Sequence, residues 1–121
     1  MVIHQSAEDY LEVILVLRKR IGMVRSIDIV NELHYTKPSV SVAMKNLREK
    51  EHICVSKEGF ITLTPSGQEI AEMIYERHEL LTHWLVKLGV SKEIAAEDAC
   101  RIEHVLSSES FNAIKNYIES N

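Results

Sequence analysis

The sequence is poor in the residues that interrupt helices, with only 4 glycines and 2 prolines among 121 residues. This scarcity argues against a loop-rich sandwich and favours a helical chain. No run of about 18 apolar residues occurs, so no membrane span is expected. Residues 1–5 lack the basic and apolar pattern of a secretory signal. Two cysteines, Cys54 and Cys100, are too few for a disulfide framework, so a reduced, intracellular setting is expected.

Acidic residues are in slight excess, giving a net charge of −4, which by itself argues weakly against nucleic-acid binding. The charge is nevertheless uneven. Residues 18–50 contain 8 Lys or Arg against 3 Asp or Glu, whereas residues 65–121 contain 5 against 10. A basic island in an acidic chain is compatible with a surface that faces phosphates. A solvated helix surface would explain the same island.

The spacing of apolar residues predicts a mainly α fold with a single hairpin. We expect helices at 6–21, 26–33, 36–50, 65–88, 91–106 and 108–120, with Ser6, Ser26, Thr36 and Ser91 as N-caps. Two short strands, 53–56 and 60–63, flank a turn that contains Gly59. This order predicts an N-terminal winged helix-turn-helix with a two-stranded wing in residues 1–64, followed by a helical lobe in residues 65–121.

The third predicted helix is the candidate reading element, because the second helix of a helix-turn-helix lies in the major groove. Its polar face carries lysine and serine side chains, which suit phosphate oxygens and base edges. Small helical modules with a hairpin also occur as protein-interaction domains, and the pattern alone leaves that interpretation open. The residues predicted to contact DNA are Arg25, Thr36, Lys37, Pro38, Ser39, Ser41 and Lys45.

A second set of residues has the chemistry of a metal site. Cys100, Glu103 and His104 stand at i, i+3 and i+4 of the fifth predicted helix, which would place them on one face. Thiol, carboxylate and imidazole together suit a transition metal. Asp9 and Glu12 share a face of the first helix, and His78 lies on the fourth. The six residues form one candidate site, without the paired spacing of a structural zinc site.

Each of these residues also has a purely structural interpretation. Cys100 alone could be a small buried hydrophobe, His104 a partly buried hydrogen-bonded residue, and Asp9 an acid favoured in a first helical turn. Cys54, in the first wing strand, is interpreted as a small hydrophobe. At the level of function, a regulator that senses a small organic ligand and a small metal enzyme are the alternatives. No G-x-S-x-G, Gly-rich phosphate loop or H-E-x-x-H motif occurs, so an enzyme is not expected.

Five segments, in this order, resemble the diphtheria-toxin-repressor and manganese-transport-regulator family. They are residues 6–12 (SAEDYLE), 36–40 (TKPSV), 63–67 (LTPSG), 77–81 (RHELL) and 97–104 (EDACRIEH). The resemblance covers essentially the whole chain, and the last two segments at this separation are specific to the family. It implies a cytoplasmic repressor activated by Fe²⁺ or Mn²⁺, with other divalent transition metals accepted in vitro. It also implies that the winged helix binds palindromic double-stranded DNA operators and that the C-terminal helices form a homodimer.

The resemblance also assigns roles by position. Asp9, Glu12, His78, Glu103 and His104 match metal ligands of the manganese branch. Cys100 stands where that branch has a carboxylate and the iron branch has a cysteine, so the set is a hybrid that leaves both metals open. Thr82 and Ala96 occupy positions where the iron branch has two further ligands, which implies an incomplete ancillary site. Because it ends at Asn121, the sequence is expected to be a short form without a C-terminal β-barrel.

Overall fold

The computed structural model describes residues 5–120, apart from the side chain of Gln5. The elements are α1 (Gln5–Ile21), α2 (Ser26–Leu33), α3 (Lys37–Glu49), β1 (Ile53–Val55), β2 (Ile61–Leu63), α4 (Pro65–Lys87), α5 (Lys92–Ile102) and α6 (Ser108–Ser120). Their order confirms the predicted mainly helical fold with a two-stranded antiparallel wing. Within residues 5–120, no helix combines the length and the apolar character needed to cross a membrane.

The chain divides into two compact units, the first ending at Glu72 and the second beginning at Met73. The division falls inside α4, whereas the predicted boundary after residue 64 falls before that helix. The assignment of separate functions to residues 1–64 and 65–121 stays a prediction.

The first unit is built around the apolar stripe of α1, which packs against α2, α3 and β2. The wing pairs Ile53 with Leu63 and Val55 with Ile61 in antiparallel register. The amide of Ile61 also donates to the carbonyl of Val24 at 2.7 Å, which attaches the wing to the loop before α2. The core residues include Leu11, Ile14, Val24, Ile29, Val40, Leu47, Ile53 and Ile61.

Local capping fixes the helix-turn-helix. Thr36 caps α3 as predicted, because its Oγ1 accepts from the amide of Ser39 at 3.3 Å, and Pro38 lies in the first turn. The predicted cap at Ser26 is wrong by one residue, since Arg25 is the N-cap and its amide donates to Asp28 Oδ2 at 2.8 Å. The predicted cap at Ser6 is also wrong, because α1 already includes Gln5.

The start of α4 approaches the residue before the wing closely. A Cβ atom at Gly67 would overlap the main-chain carbonyl of His52, so this helical position requires glycine. The His52 side chain is buried as well, and its Nδ1 lies 2.9 Å from Ser66 Oγ. The contact fixes the beginning of α4 against the end of the helix-turn-helix.

The second unit contains the remainder of α4 with α5 and α6, and its buried apolar residues include Ile74, Leu81, Ala95, Ala99 and Phe111. Ser91 caps α5 as predicted. The prediction that this helix continues to residue 106 is wrong, because α5 ends at Ile102 and residues 103–105 form a turn. The side chain of Arg77 binds main-chain carbonyls of this turn, and Ser107 accepts from the amide of Ser110 at the start of α6.

Candidate metal centre and nucleic-acid interface

Glu103 is the centre of the donor set in the second unit. It is fully buried, and its Oε2 lies 2.9 Å from Nδ1 of His78 on α4. Its Oε1 lies 3.4 Å from Nε2 of His104 and has no hydrogen-bond partner among residues 5–120. A buried carboxylate is costly unless positive charge or hydrogen bonds compensate it. One Glu103 oxygen is therefore left for a cation.

Cys100 and His104 complete this set. The Sγ atom of Cys100 lies within 4.8 Å of a carboxylate oxygen of Glu103, and the residue is exposed. The interpretation of Cys100 as a buried hydrophobe is therefore wrong. The side chain of His104 is only 2% exposed. Within the second unit, the thiol of Cys100 and the imidazoles of His78 and His104 thus each lie close to the carboxylate of Glu103.

The three C-terminal donors do not share a helical face as predicted. Cys100 is in the last turn of α5, Glu103 is its C-cap, and His104 lies in the following turn. The turn nevertheless keeps both His104 and Cys100 close to the carboxylate of Glu103. The three side chains predicted from their spacing therefore lie near one another, although the backbone that carries them is not a continuous helix; their role as metal ligands stays a prediction.

The donor chemistry fits a divalent transition metal. Imidazole nitrogen, thiolate sulfur and carboxylate oxygen are ligands for Fe²⁺, Co²⁺ and Zn²⁺, and nitrogen and oxygen donors also suit Mn²⁺. The unsatisfied Oε1 of buried Glu103 is the observation that supports this fit, because a metal ion would satisfy it.

Asp9 and Glu12 belong to the first unit, where both are half-buried on α1. Their separation of three residues places them on one side of the helix. Tyr10 lies between them in sequence; burial raises the pKa of its hydroxyl, and Tyr35 and Asp9 raise it further. The role of Asp9 and Glu12 as metal ligands stays a prediction.

Sequence reasoning missed Arg77. This residue of α4 is only 6% exposed, and its Nη1 donates to the main-chain carbonyls of Glu103 at 3.0 Å and Leu106 at 2.7 Å. Its single sequence signal was its position immediately before His78. Local sequence gives no indication that a charged side chain is buried across a helix end.

The predicted DNA-contacting residues all lie on the surface of the first unit. The exposed residues are Arg25, Thr36, Lys37, Pro38, Ser39, Ser41 and Lys45. Thr36 Oγ1 donates to Ser39 Oγ at 2.8 Å, so Thr36 acts mainly as a cap. Because Ser39 accepts this hydrogen bond, its own hydroxyl proton can still be donated to a ligand.

Two further features shape this surface. The guanidinium carbon of Arg25 lies 4.3 Å from the ring centroid of Phe60, in the connection between β1 and β2, so a cation–π contact links the start of α2 to the wing. Val42 of α3 is 60% exposed and was not among the residues predicted to contact DNA. An apolar side chain on a reading helix can contact the methyl group of thymine.

The wing also contains a residue whose interpretation was wrong. Cys54 of β1 is exposed rather than packed as a small hydrophobe. It pairs with Thr62 across the hairpin, on the face of the strand opposite to buried Ile53. Alternation along the strand therefore places Cys54 outward.

Comparisons with known proteins agree with the fold and with a metal-binding domain in the C-terminal half of the chain. Residues 64–120 match the family model described as "Iron dependent repressor, metal binding and dimerisation domain". The chain is 35% identical over 106 residues to the transcriptional regulator MntR of Salmonella typhimurium, covering 88% of this chain and 68% of that protein. It is 34% identical over 114 residues to the HTH-type transcriptional regulator MntR of Geobacillus kaustophilus, covering 94% and 81%.

A solved structure extends the similarity to the fold. The chain superposes on a manganese-dependent transcriptional repressor in complex with manganese, with a TM-score of 0.85 and 26% identity. The match covers 93% of this chain and 52% of the other, so the chain spans about half the length of this solved relative. A manganese regulator, SloR, is likewise matched over 54% of its length.

Proposed function

Because the chain belongs to the diphtheria-toxin-repressor and manganese-transport-regulator family of metal-dependent transcriptional repressors, we propose that Fe²⁺ or Mn²⁺ activates it to bind palindromic operators as a cytoplasmic homodimer. In this proposal it acts by binding and not by catalysis. The observation that carries the proposal is the buried carboxylate of Glu103, with His78 on one oxygen and an unsatisfied second oxygen.

The second unit supplies four of the proposed ligands, His78, Cys100, Glu103 and His104. A bound metal would supply positive charge to this buried acidic position. The carboxylate of Glu103 fixes the His78 ring through the 2.9 Å contact. The last turn of α5 places the Cys100 thiol beside the same carboxylate. Such preordered donors need little rearrangement to bind a cation.

The first unit supplies Asp9 and Glu12 in this proposal. Hard carboxylate oxygens suit Mn²⁺ and Fe²⁺ and would add to the nitrogen and sulfur donors. A metal with ligands in both units would restrict their relative orientation. Effector coupling of this type is typically about 1–3 kcal/mol, or about 5–150-fold in affinity. It needs a shift of population and no change of fold.

The DNA side of the proposal assigns α3 to the major groove. Lys37 and Lys45 would contact phosphates, and Ser39 and Ser41 would lie closest to base edges. A homodimer presents two such helices, which fit two half-sites about 34 Å apart, one helical turn of DNA. Metal would act by holding the two α3 helices at this spacing.

The test is operator binding with and without metal. A duplex enriched from a random-sequence library in the presence of Mn²⁺ is labelled, and its affinity is measured by fluorescence anisotropy in chelator, Mn²⁺ and anaerobic Fe²⁺. We expect metal to tighten binding about 5–150-fold. Glu103→Gln should lose most of this gain, because the amide keeps the shape of the side chain and removes its charge.

The matched control is Glu93→Gln, which changes an exposed acidic residue in the first turn of α5 and should respond to metal like the wild type. Equal operator affinity of the wild type in chelator and in metal would falsify the proposal.

A further inference from the structure

Arg77 is a buried charged residue to which the proposed function gives no role. It lies next to His78 on α4, its exposure is 6%, and its Nε has no hydrogen-bond partner among the residues that the structure describes. Burying a guanidinium is costly unless its donors are used. The acceptors of Nη1 within residues 5–120 are two main-chain carbonyls, those of Glu103 and Leu106.

These carbonyls lie at the end of α5 and just beyond it. The last carbonyls of a helix have no partner within it and carry partial negative charge. Arg77 satisfies two acceptors of this segment from a different helix, at 3.0 and 2.7 Å. The guanidinium of Arg77 therefore caps the C-terminal end of α5, although Arg77 precedes the two carbonyls that it binds by 26 and 29 residues.

The capped residue is the central donor of the metal site. Arg77 holds the main-chain carbonyl of Glu103, while adjacent His78 contacts its side-chain Oε2 at 2.9 Å. Because both its main-chain carbonyl and its side-chain carboxylate are held, the orientation of Glu103 is fixed. The carbonyl that Arg77 binds belongs to the peptide joining Glu103 to His104, so the same contact also restrains the main chain of His104.

A third contact extends from Arg77 to α6. Its Cζ lies 5.1 Å from the ring centroid of Phe111, which is itself buried at 4% exposure. The stacking contact limits the positions available to the guanidinium. The turn of the metal site and the packing of α6 thus depend on one side chain.

We infer that Arg77 is a positioning residue of the metal centre, which orders the turn of Glu103 and His104 before metal binds and links that turn to α6. The inference rests on the proposed function, since it assumes that Glu103 and His104 are ligands. Residues that orient metal ligands typically contribute about 10–100-fold in metal affinity.

The test combines metal affinity with hydrogen exchange of the apo protein. Mn²⁺ affinity is measured for the wild type, Arg77→Lys and Arg77→Met by competition with a fluorescent chelator. The measurements are made without denaturant, after each protein has been shown to be folded. We expect Arg77→Met to lose about 10–100-fold. Arg77→Lys should recover part of that loss, because an ammonium can reach one carbonyl but lacks the planar fork.

Hydrogen exchange followed by mass spectrometry gives a readout that does not depend on metal. Amides of residues 103–111 should exchange faster in apo Arg77→Met than in the apo wild type, while α1 to α3 keep their rates. Arg101→Met is the matched control, because Arg101 is an exposed arginine on α5 with a 3.4 Å ion pair to Asp98. It should change neither measurement.

The outcomes separate the two proposals. If the wild type binds no metal, the proposed function fails, whereas exchange of the apo protein still tests the ordering role of Arg77. If metal binds to Arg77→Met with wild-type affinity and exchange over residues 103–111 is unchanged, the inference is wrong. If Arg77→Met does not fold, Phe111→Leu replaces it, because this variant keeps both carbonyl contacts of Arg77 and removes the aromatic ring. The inference then requires faster exchange over residues 103–111 in Phe111→Leu than in the wild type, and unchanged exchange contradicts it.

Discussion

At the residue scale, Cys100 distinguishes this donor set from one built only of nitrogen and oxygen. Its Sγ lies within 4.8 Å of a carboxylate oxygen of Glu103, and the residue is exposed. A thiolate favours Fe²⁺, Co²⁺ and Zn²⁺ over Mn²⁺, whereas the carboxylates of the proposed site favour the harder ion. Cys100 is therefore the position at which metal preference should be decided.

We predict that Cys100 coordinates the metal and broadens metal acceptance. Co²⁺-loaded protein should show sulfur-to-metal charge-transfer absorption, and Cys100→Ala should abolish it. Cys100→Glu should shift the preference toward Mn²⁺, measured by competition between Mn²⁺ and Co²⁺. Cys54→Ser is the matched control, since Cys54 is the other exposed cysteine. Absence of the band in fully loaded wild-type protein would exclude Cys100 as a ligand and make Mn²⁺ the first choice.

At the scale of elements, local signals predicted some boundaries and long-range contacts set the others. Thr36 and Pro38 mark the start of α3, and Gly59 marks the turn of the hairpin, so both elements were predicted from sequence. The end of α5 was not, because Arg77 caps it from a distant helix. For the same reason, the sequence predicted Glu103 and His104 as candidate donors but not the turn on which they lie.

Side-chain burial was the other property that sequence could not give. Cys54 was interpreted as a small hydrophobe, and a small buried residue was the alternative to a metal ligand for Cys100; both cysteines are exposed, because burial depends on which face of a strand or helix packs inward. Arg77 is buried although a charged residue is usually exposed, and sequence reasoning made no prediction for it. For Arg77, the contacts that accompany burial are with carbonyls 26 and 29 residues away in sequence.

The reading role of α3 gives a prediction at this scale. Lys45 is exposed on α3, and we expect it to contact a phosphate. Lys45→Ala should weaken binding to all DNA sequences and reduce the slope of log K against log salt by about one. Lys92→Ala, which removes an exposed lysine at the start of α5, is the matched control. If both variants keep the wild-type salt slope, α3 does not use Lys45 for phosphate contact.

At the scale of the whole molecule, the proposed mechanism depends on two compact units that share a set of ligands. Each unit has its own buried residues, and α4 passes through the division between them. Asp9 and Glu12 lie in the first unit, and the other four proposed ligands lie in the second. A ligand set divided in this way can convert metal binding into a restriction of domain orientation. The fold of each unit can remain unchanged meanwhile.

We predict that metal reduces the freedom of the two units relative to each other. Residual dipolar couplings of backbone amides report the alignment of each unit separately, and Zn²⁺ is a diamagnetic substitute for the measurement. In the apo protein the two units should give alignment tensors of different magnitude, and in the loaded protein a single tensor should fit both. Asp9→Asn combined with Glu12→Gln should keep two tensors with metal present, because the donors of the second unit remain but the link is removed. A single common tensor in the apo protein, unchanged by metal, would contradict the orientation mechanism. In that case the metal would have to promote operator binding by an effect other than the placement of the α3 helices.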